Sequence, residues 1–195
     1  MTENLLSFLQ TLVSPENIHV QRGDFIFQPG DPASFLYAVE QGQIRMIRFN
    51  EAGSETVLYR AGAGETFAEA ALFVDFFHCT VIAEEDCKLL AFPKKAILTA
   101  MDKDTRLLRQ YSMLLSREVR ELRSMIEVRS IGAADARLLH YFRLHADDNG
   151  RVLVSPSLMD LAGQLGMAHE TLYRNLKKLE NNGAIRRKGL EIILL

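Results

Sequence analysis

The stretch LMDLAGQLGMAHETLYRNLKKLE, residues 158–180, constrains the fold more than any other part of the chain. Leu158, Leu161, Ala162 and Leu165 recur at helical spacing, Gly166 interrupts, and Leu172, Leu176 and Leu179 resume the period. This predicts two short amphipathic helices joined by a corner, because glycine takes the left-handed conformation that ends one helix and turns the chain. The second helix keeps His169, Glu170, Tyr173, Arg174 and Lys177 on its polar side. A helix–corner–helix with Glu and Arg near the start of its second helix has the geometry that reads base edges in a DNA major groove. Two ordinary packed helices show the same leucine spacing, so the flanks decide.

The flanks favour DNA. Asn181, Asn182 and Gly183 stop the second helix, and AIRRKGLEIILL follows. Lys188-Gly189 between two apolar-rich runs reads as a hairpin, a wing carrying Arg186, Arg187 and Lys188. RVLVSP, residues 151–156, is a short strand ended by Pro156. Between residues 165 and 190 six basic residues face two acidic ones, whereas the whole chain carries a net charge of −2. A local basic excess suits a phosphate-contacting surface, and a near-neutral chain argues against sequence-blind coating of nucleic acid. The reading is a winged helix–turn–helix over residues 130–195.

The front half has another texture. A short amphipathic helix around Leu5, Leu6, Phe8, Leu9 and Leu12 precedes short strands at Val20, 25–27, 35–39, 44–49, 56–59, 79–82 and 89–92. Gly, Asp and Pro punctuate them at short intervals, as in an all-β sandwich or barrel of the jelly-roll kind, assigned to residues 1–100. From Lys94 to Arg129 there is no Gly or Pro. There Leu108, Tyr111, Leu115, Val119, Leu122 and Ile126 step by three or four residues between charged neighbours. That narrow seam predicts one long helix, its 101–129 portion pairing with a copy of itself. The fold class expected is α+β.

No run of about eighteen apolar residues occurs, so no membrane span is expected. With no signal-peptide pattern at the N-terminus, a cytoplasmic protein is expected. Two cysteines, Cys79 and Cys87, are too few for a disulfide framework or a four-thiolate cluster.

Taken in order, a β-roll, a long helix and a C-terminal winged helix–turn–helix resemble the CRP/FNR superfamily of bacterial transcription regulators. FQPGDPASFLYAVEQGQIRM is similar to that family's first turns, GETFAEAALF (64–73) to its effector-binding segment, and LAGQLGMAHETLYRNLKKLE to its helix–turn–helix. The resemblance implies a homodimer on a double-stranded operator, with an effector held by Phe67, Ala68, Glu69, Ala70, Leu72, Cys79 and Thr80. It also implies RNA polymerase as a partner and a pivot near Ser130–Ala133. No enzyme activity is implied.

The departures matter. Cyclic-nucleotide-binding members grip the cyclic phosphate with an Arg about ten residues after the segment's Glu; here that position is Cys79, followed by Thr80. A thiol lacks the planar charged fork that grips phosphate, which argues against cyclic AMP. The family's glycines there are replaced by Ala68 and Ala71. The oxygen-sensing branch needs four cysteines, mostly near the N-terminus, which argues against an iron–sulfur cluster. TFAEAALF is similar to the dissimilatory nitrate respiration regulators, a nitric-oxide-responsive branch, which makes haem a candidate. Phe67, Leu72, Phe73, Phe76 and Phe77 would be its walls, and His19, His78 or Cys79 its ligand.

On the reading helix, Glu170 and Arg174 fall on the family's base-contacting positions. Glu accepts from a cytosine amino group and Arg forks onto guanine. His169 stands where the cyclic-AMP branch has Arg, and Ala168 where a capping Ser is usual, at a cost of about 1 kcal/mol. Lys177, Lys178, Arg186 and Lys188 read as phosphate contacts. Two other classes stay open: a constitutive winged-helix module using the β-roll for protein contacts, and a cupin-like metalloenzyme. Against the second, the five histidines, 19, 78, 140, 145 and 169, are scattered.

Overall fold

The computed structural model describes residues 5–49, 51, 53, 55–154 and 157–195. The chain divides into two compact units, Met1–Ser116 and Arg117–Leu195.

The N-terminal unit opens with α1 (Leu5–Leu12), followed by β1 (Glu16–Val20), β2 (Phe25–Phe27), β3 (Phe35–Gln41), β4 (Gln43–Phe49) and β5 (Glu55–Gly62). Next come β6 (Thr66–Phe67), a single-turn 3-10 helix at Glu69–Ala71, β7 (Thr80–Ala83) and β8 (Cys87–Pro93). These make two antiparallel four-stranded sheets, in the orders β1-β8-β3-β6 and β2-β7-β4-β5. All seven strands expected from the sequence are present, within a few residues at their ends; β6, only two residues long, is the addition. Val39, Ile44, Ala61, Phe67, Val81 and Leu89 fill the space between the sheets. Strand β3 is buried on both faces, Tyr37 and Val39 in that core and Leu36 and Ala38 in a second cluster. FLYAVEQ therefore does not alternate apolar with polar, because both sides are covered. Leu5, Phe8 and Leu9 of α1 belong to the second cluster.

The helical region differs from expectation in one respect. It is not one helix from Lys94 but two, α2 (Lys94–Lys103) and α3 (Thr105–Ser130). Asp104 between them is extended, at φ −132° and ψ 100°, and its carboxylate accepts from the Arg106 backbone N–H at 2.9 Å and from the guanidinium. An Asp that offers its side chain to the next turn's orphan donors starts a new helix rather than continuing the old one.

The C-terminal unit comprises the end of α3, α4 (Ala134–His145), β9 (Arg151–Leu153), α5 (Leu158–Gln164), α6 (His169–Asn181), β10 (Ile185–Lys188) and β11 (Glu191–Leu194). Its core gathers Val128, Leu138, Phe142, Leu161, Leu165, Leu172, Leu176, Ile185 and Ile192. The three strands form one antiparallel sheet in the order β10-β11-β9. Pro156, the expected end of the strand, lies outside the described residues. Among the described residues no helix is long and apolar enough to cross a membrane.

Candidate nucleic-acid interface and effector segment

The reading corner is built by local chemistry. Ser157 Oγ accepts from the Asp160 backbone N–H at 3.2 Å and caps α5. Gly166, at φ +62°, ends it with Gly166 N–H donating to Gly163 O at 3.1 Å and Met167 N–H to Ala162 O at 3.0 Å. This pair of bonds is the Schellman closure that a left-handed residue permits. Two arginines hold the same corner from outside. Arg129, at the end of α3, donates to Gln164 O at 2.7 Å; Arg137, on α4, donates to Leu165 O at 2.9 Å and to Ile131 O at 2.8 Å. These two arginines flank the segment expected to pivot, and Arg137 joins its Ile131 O to Leu165 O.

Helix α6 then starts at His169 with Ala168 as a cap that supplies no side-chain bond, as its sequence implied. Leu172, Asn175, Leu176 and Leu179 face the core. His169, Glu170, Tyr173, Arg174 and Lys177 are all exposed. They follow the i, i+1, i+4, i+5, i+8 spacing of one helix face. The His169 and Tyr173 rings meet edge to face at 4.6 Å. Lys178 is elsewhere, paired with Asp135 of α4, so it is not part of this face.

The wing is a two-residue hairpin, with Lys188 opposite Glu191 and Gly189 at φ +64°. Successive side chains on a strand alternate. Ile185 is buried and Arg187 half-buried on one side of β10, while Arg186 and Lys188 are exposed on the other. The wing cation that joins α6 is therefore Arg187, rather than Arg186 or Lys188. Its guanidinium lies over the Tyr173 ring at 5.8 Å and its Nε is 3.8 Å from Glu180. Strand parity counted from buried Ile185 is the sequence signal that would have found it.

In the N-terminal unit, Phe67, Ala68, Glu69, Leu72, Cys79 and Thr80 are buried, whereas Ala70 is exposed. Phe67, Ala68 and Cys79 sit in the core between the sheets, and Leu72 in the second cluster. Ala68 adopts φ +65°, the only positive φ of a non-glycine among the described residues. The backbone keeps the conformation of a glycine despite the added Cβ, a strain of about 1–2 kcal/mol. The following turn is tied to α3, because Tyr111 Oη donates to Glu69 O at 3.0 Å. Tyr111 thus faces its own domain and leaves the self-pairing seam expected of it.

The other seam residues divide. Leu108, Val119, Leu122 and Ile126 are 44%, 43%, 65% and 69% exposed and share one narrow face of α3. Leu115 is half-buried against the second cluster.

The haem expectation does not fit this arrangement. Phe73 and Phe76 are exposed, and Phe77 and Phe67 stack with Phe27 and Tyr37, at 3.7 Å for Phe27–Phe77 and 5.2 Å for Tyr37–Phe67. His19 and His78 are exposed. His19 lies on the strand face opposite Ile18 and Val20, which pack on the core. Cys79 is buried in the core between the sheets, and burial pushes its thiol up, with Arg48 opposing. Among the described residues no group of three or more His, Cys, Asp or Glu is placed to hold a metal ion.

The chain matches a cyclic nucleotide-binding domain over residues 17–104 and a Crp-like helix-turn-helix domain over residues 136–195. It is similar to the transcriptional activator protein anr of Pseudomonas aeruginosa, 24% identical over 183 residues that cover 90% of this chain and 75% of that protein. It is also similar to the CRP-like protein Clp of Xanthomonas campestris, 26% identical over 182 residues covering 87% and 79%. Among solved structures, a CooA variant from Carboxydothermus hydrogenoformans superposes with a TM-score of 0.77 at 16% identity, covering 100% of this chain and 92% of that one. A β-roll with an effector-type segment, followed by a helix–turn–helix and wing, is what these matches share with the geometry above: the chain belongs to the CRP/FNR family of DNA-binding transcription regulators.

Proposed function

We propose that the protein is a homodimeric, sequence-specific regulator that reads one half of a two-fold operator with each α6. The observation that carries this is the exposed row from His169 to Lys177 on a helix whose opposite side is anchored in the core. Glu170 and Arg174 would contact base edges near the helix start, and Lys177 a phosphate. The exposed face of α3 supports pairing of two copies, the arrangement that places two reading helices on one palindrome. RNA polymerase is the further partner and the cytoplasm the location that this reading implies.

Effector control acts through α3. The strained turn after β6 is bonded to Tyr111 near one end of the helix, and Arg129 near the other end is bonded to the reading corner. An effector that rearranges residues 67–72 releases or tightens the first bond. The buried thiol at Cys79 and the outward histidines favour an effector other than cyclic AMP or haem.

Selection of duplexes from a randomised library tests the reading role. Arg174→Ala loses about 1–3 kcal/mol of discrimination at one base pair per half-site, whereas Lys177→Ala weakens every sequence alike. Equal losses on selected and random DNA for Arg174→Ala would remove it from that role.

A further inference from the structure

Between α6 and the wing lies a groove lined by Tyr173, Arg174, Lys177, Glu180, Asn181 and Arg187. Three cations and one carboxylate surround it, so its chemistry selects an anion. Arg187 is the most constrained of the three. Its Nε lies 3.8 Å from Glu180 and its guanidinium 5.8 Å from the centre of the Tyr173 ring, and its side chain is only 29% exposed. Tyr173 is itself braced by His169. Contact at Nε leaves the two Nη groups as donors for a second anion. A planar fork that is already ordered loses little conformational freedom on binding, unlike the exposed Arg186 and Lys188 on the other strand face.

We propose that Arg187 is a preset phosphate-binding group, and that the groove it closes with Lys177 seats one DNA backbone phosphate per half-site. This rests on the DNA-reading role proposed for α6. The groove lies along the flank of the helix, C-terminal to Glu170, with Arg174 at its base-facing end and Lys177 and Arg187 further along, where a helix inserted in the major groove meets the bordering strand rather than the bases. Glu180 does not oppose the anion; it aligns the guanidinium and is itself balanced by it.

The test uses the full-length protein and a duplex selected from a random library. Neutralising one phosphate contact per half-site removes two per dimer, so Arg187→Gln makes the log Kd against log salt slope shallower by about 2. Single methylphosphonate replacements along the duplex weaken the wild type at one position in each half-site, and Arg187→Gln is indifferent to replacement there. Arg187→Lys keeps the charge and retains the slope, even where loss of ring contact lowers the melting midpoint. An unchanged slope in Arg187→Gln, or equal methylphosphonate sensitivity in both proteins, overturns the proposal and leaves Arg187 as a brace for Tyr173. If no preferred sequence emerges from selection, the reading role of α6 fails, while the salt slope on random duplex still decides the part played by Arg187.

Discussion

The pairing proposed for α3 would use a face of the helix other than the one that folds the chain, and substitution distinguishes them. Leu122 and Ile126 are about two-thirds exposed within one chain, so each contributes little to its own fold. Full burial of such a side chain stabilises by about 1.5–3 kcal/mol, and the fraction left for a partner to cover is about 1–2 kcal/mol. A two-fold interface contains every residue twice. Leu122→Asp therefore removes about 2–4 kcal/mol from the dimer, a rise in dissociation constant of roughly 30- to 1,000-fold. Desolvation of the two new carboxylates adds to the loss. Leu107, fully buried in the chain's own second cluster, is the control. Leu107→Ala opens a cavity and lowers folding stability by about 2–5 kcal/mol. Sedimentation across a concentration series reads the first effect and chemical denaturation of the dissociated chain reads the second. Leu122→Asp is expected to yield folded monomers with weakened operator binding. A dimer of unchanged affinity in Leu122→Asp together with Ile126→Asp would place the interface elsewhere and refute the two-face assignment.

Gly42→Ala is expected to be among the more damaging single-atom-group changes: at φ +95° its Cβ would lie 2.6 Å from Cys87 Sγ and 2.7 Å from Asp86 O. Gly23→Ala at φ +91° meets nothing within 4 Å, so the denaturation midpoint falls further for Gly42→Ala, by more than about 1 kcal/mol relative to wild type. Acid is expected to weaken the fold. The Arg106 side chain, the Lys178 side chain and the Arg151 backbone N–H hold the carboxyls of Asp104, Asp135 and Asp147 below the ordinary value of 3.8. Folded-state values depressed in this way stabilise above 3.8 and are lost as pH falls through them. Denaturation at pH 7 and pH 3 checks this, and Asp147→Asn flattens the profile; a midpoint that rises in acid contradicts it. Protein from haem-supplied cells is expected to show no Soret band, and millimolar cyclic AMP no rise in melting temperature, since a ligand at a hundredfold excess over Kd adds about 2.7 kcal/mol.

Much of the reading unit was legible because it depends on local chemistry. Gly166 between two leucine periods specifies a corner, and Lys188-Gly189 a hairpin, since each requires a left-handed residue at one position. Strand positions in the β-roll followed from turn residues at short intervals. The Asp104 break was less visible, because a polar residue inside a charged amphipathic helix looks like any other surface position until its side chain turns back to cap the next helix. Leu107 and Leu108 are neighbours in a helical period, and periodicity alone does not say which is buried in the domain and which is exposed.

The sequence by itself determined the order of the elements, apart from β6 and the break at Asp104, and which helix carries Glu170 and Arg174. These depend on spacing and side-chain type, which are properties of the chain. Only the tertiary structure decided that Tyr111 bonds the turn at Glu69–Ala71, that Phe73 and Phe76 face outward while Phe77 stacks inside, and that Arg187 lines the groove beside α6. Each of these is a choice between faces or partners far apart in sequence. Such choices are made by packing, where burial of one side excludes the other, rather than by any local preference of the residues.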